Sequence, residues 1–294
     1  MLRRAPAWSF FAGSAVFHYL GPSFAVLLFT RVAPLGVAWL RIATAAAVYA
    51  AWRRPWRGWR TLEPADRRTI AAMGAVLAVM NPCFYLAIAR LPLATVAAIE
   101  FLPVIALAAL GARTARNGVA LGAATGGVYL LTDVRLGGSP LGFVFAFANA
   151  ALFALYIVLA HRVSRLERLG GIDGLAAAML VAAVVVTPIG GWSAAAAFTN
   201  PVALGAGIGV GVTSSVIPYI CDQLAMARVA RATYAILVSL LPATAAVIGV
   251  IVLAQIPGTL EIVGIALVVC GVALHGERSI GTSTRLPHSV HEPS

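Results

Sequence analysis

The chain contains no lysine and few acidic residues, and charged residues of both signs make up only 11% of its 294 positions. An ordinary soluble domain carries about a quarter charged residues. Hydrophobic residues account for 61%, and the mean hydropathy is +0.93. Because a water-soluble fold of this length has too small an interior to bury that much apolar surface, the composition predicts an all-α protein whose solvent is the lipid bilayer.

Cysteines and metal-binding motifs are scarce as well. Cys83, Cys221 and Cys270 all lie inside apolar stretches and form no CxxC pair, which argues against a disulfide framework and a zinc site. No loop contains an ATP-binding motif, and no DxxxD or HxxxH cluster is present to hold a metal and a phosphate. The sequence therefore predicts no cofactor, no metal and no enzymatic activity.

Apolar windows of about 20 residues, the length that spans a bilayer core, follow one another along the chain. Ten of them are predicted to be transmembrane helices: residues 8–29, 34–52, 69–90, 91–111, 117–133, 139–160, 172–192, 202–224, 232–254 and 257–275. The window 8–29 is too long for a signal peptide, so we interpret it as a retained helix. The final segment, 279–294, is polar and is predicted to be disordered.

The 21 basic residues are all arginine, and their distribution predicts the orientation. With the N-terminus in the cytoplasm, 17 of the 21 lie in cytoplasmic segments, three lie outside, and Arg41 lies within a helix. This asymmetry follows the positive-inside rule and predicts ten helices with both termini cytoplasmic. The formal charge of +11 is therefore interpreted as a topology signal, and no nucleic-acid partner is predicted.

An internal repeat is suggested by residues 87–103, which align with residues 225–242 and match Arg90 and Thr95 to Arg228 and Thr233. Five helices separate equivalent points, so the two copies have opposite orientations. Inverted repeats place a substrate site near the membrane midplane between the two halves. The predicted division is residues 1–135, residues 136–278 and the tail 279–294.

Two ionisable residues lie inside apolar windows, where each costs at least ~2.5–3.5 kcal/mol on insertion scales. Arg41 is seven residues from Pro34, and Glu100 is nine residues from Leu91, so their depths from the outer surface are about 10 and 13 Å at helical rise. One interpretation is that they hold the carboxylate and ammonium of a zwitterion, or that Glu100 carries a coupling proton. The other is a buried ion pair that joins two helices.

Other polar residues in apolar windows are candidates for cavity lining, although an interhelical hydrogen bond is the more frequent role of such residues. They are His18, Asn81, Tyr85, Asn149 and Tyr156. Asp222 lies near the cytoplasmic end of its window and is a weaker candidate. Pro103 and Pro242 are predicted to interrupt their helices near the midplane, with tolerated helix packing as the alternative.

The segment 213–255, TSSVIPYICDQLAMARVARATYAILVSLLPATAAVIGVIVLAQ, resembles the C-terminal repeat of EamA-type transporters of the drug/metabolite transporter superfamily. Within that superfamily the chain is most similar to the threonine/homoserine exporter group. The resemblance is carried by Ile217-Pro218-Tyr219 and by Leu40-Arg41 and Ile99-Glu100-Phe101. The group has a Glu between Leu241 and Pro242 and an acid where Gln255 stands, so the resemblance implies that Glu100 is the more important acid here.

The resemblance implies an inner-membrane secondary transporter that exports a small amino acid such as threonine or homoserine, with the proton gradient as its energy source. The implied partners are the bilayer, the metabolite and protons, and both a monomer and a homodimer stay open. Broad efflux of drugs or aromatic metabolites is the main alternative. A passive channel, a subunit of a larger complex and a membrane enzyme are the others.

Overall fold

The computed structural model describes residues 7–60, 62–111, 114–133, 139–163, 166, 171–226 and 241–274, and these parts of the chain are helical, without a β-strand. The first half contains α1 (Ala7–Leu28), α2 (Pro34–Arg53), α3 (Trp56–Trp59), α4 (Pro64–Ile88), α5 (Leu93–Gly111) and α6 (Ala115–Asp133). The second half contains α7 (Pro140–Val163), α8 (Gly171–Val186), α9 (Ala195–Phe198), α10 (Pro201–Gly211), α11 (Ile217–Met226), α12 (Leu241–Leu253) and α13 (Thr259–Leu274). A π-helical turn at Thr187–Gly191 and a 3₁₀ turn at Trp192–Ala194 lead from α8 into α9, and a π-helical turn at Val212–Val216 joins α10 to α11.

A helix occupies each of the ten predicted windows where the chain is described. Five continuous helical stretches are long and apolar enough to cross a membrane by length and composition: Pro34–Arg53, Pro64–Ile88, Pro140–Ala160, Gly171–Phe198 and Pro201–Cys221. The shorter apolar helices are Ala12–Leu28, Leu93–Pro103, Leu241–Leu253 and Thr259–Gly271. The predicted tail, 279–294, and most of the second repeat segment lie outside the described residues.

Pro103 does not interrupt its helix. α5 runs from Leu93 through Pro103 to Gly111, so the predicted break is wrong. A proline removes one backbone donor, and membrane helices tolerate this loss, as Pro22 in α1 and Pro82 in α4 also show. Pro242 is the second residue of α12, and because the residues before Leu241 lie outside the described part, the interruption there stays a prediction.

Polar side chains lie inside the structure, and many large apolar side chains lie on its surface. Trp192 is 91% exposed, Ile251 75% and Val184 74%, whereas Arg41, Glu100 and several Asn, Ser and Thr side chains are buried. In water this exposure of apolar groups would be costly. In lipid the same exposure is favourable, because apolar side chains then contact acyl chains. The distribution therefore agrees with the bilayer as solvent.

Glycines allow α2 to approach the second half of the chain at backbone distance. A Cβ added to Gly36 would lie 2.3 Å from the carbonyl oxygen of Ser193, and a Cβ added to Gly211 would lie 2.6 Å from Cβ of Thr44. These contacts lie on either side of Arg41 along α2. They therefore place the arginine against the π-helical turn at Val212–Val216.

We expect Gly36→Ala to destabilise the folded protein by about 1–3 kcal/mol, because the new methyl group would meet a backbone oxygen that has no room to move. The matched control is Gly205→Ala on the exposed surface of α10, where an added Cβ meets nothing within 4 Å. The control should be neutral or slightly stabilising, since alanine favours helix over glycine. Thermal unfolding in detergent measures both, and equal melting temperatures would contradict the close contact.

Candidate functional site

Arg41 is buried on α2, and the π-helical turn at Val212–Val216 holds its guanidinium. Nε donates to Oγ of Ser215 at 2.8 Å, and Nη2 donates to the carbonyl oxygen of Ser214 at 3.1 Å. The wider turn of a π-helix changes the local carbonyl pattern, which suits it to accept a side-chain donor. Cζ of Arg41 also lies 5.7 Å from the centre of the Tyr85 ring, within cation–π range.

Glu100 is buried on α5, and its carboxylate is held by α7. Oε1 accepts a hydrogen bond from Nδ2 of Asn149 at 3.0 Å. Asn149 was predicted as cavity lining, and the structure brings it into direct contact with the acid. This hydrogen bond fixes the carboxylate. Oδ1 of Asn149 has no partner among the described residues and can accept a hydrogen bond from another group.

Arg41 and Glu100 are near each other but are not ion-paired. The ion pair among the described residues joins Arg53 to Asp173, with Nε and Oδ1 2.6 Å apart. The chain neighbours of Arg41 and Glu100, which are Leu40, Ile99 and Phe101, lie in one hydrophobic cluster, so both charged side chains border the same region of the core. A direct buried pair, one of the two interpretations of the sequence, is therefore not what the structure shows.

Four polar atoms around these two charges are buried and have no hydrogen-bond partner among the described residues. They are the hydroxyl oxygens of Tyr19, Tyr85 and Ser214 and Oδ1 of Asn149. All four side chains are fully buried, at 0% exposure. An unsatisfied buried polar group costs about 1–3 kcal/mol, so four in one region need an explanation other than stability.

Three of these four residues contact one of the two charged side chains. The Tyr85 ring lies against Arg41, the Ser214 carbonyl binds Arg41, and Asn149 binds Glu100. Tyr19 belongs to the same hydrophobic cluster as Tyr85, and its ring meets that of His18 edge to face at 5.3 Å. The arrangement is a compact polar site with a cation at one end and an anion at the other.

We call this cluster the central site: His18, Tyr19, Arg41, Tyr85, Glu100, Asn149, Ser214 and Ser215. Tyr19, Ser214 and Ser215 did not stand out in the sequence. The Thr-Ser-Ser run at 213–215, in an otherwise apolar and glycine-rich stretch, was the available signal.

The remaining predicted residues lie elsewhere or serve local contacts. Asn81 donates from Nδ2 to the carbonyl oxygen of Leu77 at 2.8 Å, within its own helix. Tyr156 stacks on Phe153 at 6.2 Å, and Tyr219 packs partly buried beside the second hydrophobic cluster. The side chain of Asp222 lies outside the described residues.

A small cavity of about 20 Å³ lies near the start of α5, between Thr95, Gln255 and Glu261. It has room for one water molecule and not for a metabolite. Gln255 Oε1 accepts from the backbone N–H of Leu93 at 3.1 Å, and Glu261 Oε2 accepts from that of Gly258 at 2.9 Å. Gln255 therefore ties the loop before α13 to the helix that carries Glu100.

The EamA-like transporter family matches residues 140–276. Most of the second half of the chain is therefore similar to this transporter family. Over 252 residues the chain is 29% identical to the threonine/homoserine exporters RhtA of Salmonella typhimurium (strain SL1344) and of Escherichia coli (strain K12), covering 85% of this chain and 84% of each relative. The resemblance to EamA-type transporters is therefore confirmed, and these relatives are exporters, in agreement with the prediction of a transporter and not an enzyme.

A solved crystal structure of a protein 18% identical to this chain matches it with a TM-score of 0.60, and the match covers 89% of this chain and 93% of that one. At this identity the likeness concerns the fold alone. It extends over both halves, which agrees with one continuous helical fold.

We expect Ser214→Ala to leave the stability of the ligand-free protein unchanged or to raise it, because the hydroxyl has no partner to lose. The matched control is Ser23→Ala, which removes a buried hydroxyl that donates to the carbonyl oxygen of Tyr19 at 2.9 Å. The control should lose about 0.5–1.5 kcal/mol. Chemical unfolding in detergent measures both, and a larger loss for Ser214→Ala would show that this hydroxyl is structural.

Proposed function

We propose that the protein is a proton-coupled secondary transporter of the inner membrane that exports a small zwitterionic amino acid such as threonine or homoserine. The observation that carries this proposal is the central site. It holds a buried guanidinium and a buried carboxylate that are near each other without pairing, together with four unpartnered polar atoms. An α-amino acid offers the complementary groups.

The substrate carboxylate fits the Arg41 end of the site. Two of the five N–H groups of that guanidinium are used by the π-helical turn, so the others can donate to a carboxylate. The hydroxyls of Tyr85 and Ser214 can also donate hydrogen bonds to the substrate carboxylate. At the other end, Glu100 and Asn149 Oδ1 accept hydrogen bonds, which suits an ammonium group or a side-chain hydroxyl.

Coupling follows from the burial of Glu100. When its carboxylate is ionised it neutralises the substrate ammonium, and when it is protonated it cannot. Substrate and proton therefore compete for one group, which is the requirement for exchange of one against the other across the membrane. Ionisable residues inside membrane helices carry this kind of proton transfer in pumps and transporters.

The pattern of helix contacts supports two inverted five-helix repeats, residues 1–135 and 136–278, with all ten helices crossing the membrane. α4 packs on α7. In the other repeat, the counterparts of α4 are α10 and α11, and they pack on α1, the counterpart of α7. α5 packs on α7 as α12 packs on α1. Three further contacts, α2 with α8, α5 with α12 and α6 with α13, join equivalent helices, as expected along a pseudo-two-fold axis.

The names of the relatives support the substrate class, and the arginine distribution supports cytoplasmic termini. Efflux of aromatic metabolites is the second candidate. The rings of Phe29 and Phe84 lie 6.0 and 5.8 Å from that of Tyr85 and give one side of the central site an aromatic wall. The two buried charges favour the amino acid.

The test is uptake of radiolabelled threonine and homoserine into inverted membrane vesicles with an acidic lumen. We expect gradient-driven uptake by the wild type and at least about a tenfold loss in Glu100→Gln, because the neutral amide no longer exchanges a proton for the ammonium. The matched control is Glu63→Gln, which removes an exposed carboxylate between α3 and α4 and should transport normally.

Threonine methyl ester and N-acetylthreonine, each lacking one of the two charges, should neither be transported nor compete. If they compete as well as threonine, the zwitterion site is wrong. If an aromatic metabolite is transported in place of threonine, the second candidate replaces the first.

A further inference from the structure

The turn between α2 and α4 carries a dense group of arginines and tryptophans that the central site does not use. Residues 53–68 include six arginines but only two acidic residues, Glu63 and Asp66. Arg53 is engaged by Asp173 through a two-pronged ion pair at 2.6 and 2.9 Å. We call the rest of the group the basic collar: Arg54, Arg57, Arg60, Arg67 and Arg68, with Trp52 and Trp56.

The collar is held in place by the fold. Arg54 has a φ of 49°, a left-handed conformation that ends α2 and turns the chain into α3. Leu62 is buried at 3% exposure, and Trp59 packs against the same hydrophobic cluster. α2 ends and α4 begins at this turn, so the collar side chains all lie at one end of the α2–α4 pair.

Within the described part of the chain, the collar arginines have no carboxylate partner. Arg54, Arg57, Arg60 and Arg68 are exposed, and among the described residues none of them forms an ion pair. Arg67 is fixed by a hydrogen bond from Nη2 to the carbonyl oxygen of Arg60 at 3.0 Å, and its buried Nε–H has no acceptor there. The surface is therefore a set of positioned donors that lack an anion.

The tryptophans indicate where this surface lies. Trp52 and Trp56 are 52% and 54% exposed, and the guanidinium of Arg53 lies 5.3 Å from the Trp52 ring. Half-exposed tryptophans at the ends of membrane helices lie at the level of the lipid headgroups. The arginines beside them then face phosphate groups of the same leaflet.

We propose that the basic collar binds the headgroups of anionic phospholipids. Charge complementarity favours this ligand, since clusters of arginine next to a membrane helix attract anionic lipids. The guanidinium groups supply the planar donors that suit a phosphodiester. The exposed indole rings insert between the lipids and hold the arginines at that depth.

The test is native mass spectrometry of the full-length protein purified in detergent, after addition of phosphatidylglycerol or phosphatidylcholine in equal amounts. We expect at least about a fivefold preference for phosphatidylglycerol in the wild type, and loss of that preference in Arg54→Gln/Arg57→Gln/Arg60→Gln. The matched control is Arg31→Gln/Arg116→Gln/Arg162→Gln, which removes three exposed arginines outside the collar and should keep the preference.

Equal losses in the two triple variants would overturn the proposal, because net charge alone would then explain the binding. Displacement of the lipid by millimolar inorganic phosphate would also overturn it, since a free anion would be the ligand. The salt dependence of the lipid preference can be measured on the wild type alone, so the proposal is tested even if a variant does not fold. The preference should weaken sharply in 1 M salt, and a preference that salt does not change would contradict an ionic collar.

Discussion

The Arg41 guanidinium lies in an apolar helical core, and the two hydrogen bonds that it donates to the π-helical turn of the second half hold it there. A buried charge costs several kcal/mol after relaxation, and each hydrogen bond to a charged group returns about 1.5–3 kcal/mol. The turn that accepts these bonds is reached only because Gly211 and Gly36 let the backbones meet. The position of α2 against the second half, and with it the geometry of the central site, depends on this contact.

The buried polar atoms without partners in the central site lower the stability of the fold, and a role in ligand binding explains why they are kept. Each of the two charged side chains is held by a residue of a neighbouring element that also carries a polar atom without a partner among the described residues: Asn149 beside Glu100 and Ser214 beside Arg41. An apolar replacement at several of these positions would fold at least as well. Sites that break the rules of core packing in this way are where binding is expected.

Much of this fold could be predicted from the sequence, because the bilayer imposes the length of each helix and the arginines mark its ends. The polarity of Arg41, Glu100 and Asn149 inside apolar windows made them candidates, and the positions of the helices followed from the bilayer. The contacts did not. Sequence could not show that Arg41 binds Ser214 and Ser215 in place of Glu100, because those serines are 173 and 174 residues away and a π-helical turn has no clear sequence signal. The predicted break at Pro103 was wrong because the loss of one hydrogen bond does not end a membrane helix.

The central claim is that Arg41 and Glu100 are held apart to bind a zwitterion. A double-mutant cycle on unfolding in detergent tests it most directly, with Arg41→Gln, Glu100→Gln and the double variant measured with and without threonine. The account predicts a coupling energy below about 1 kcal/mol without threonine, and a threonine-induced stabilisation that either single variant abolishes. A coupling of about 3–5 kcal/mol in the absence of threonine would show a structural ion pair and would contradict the account.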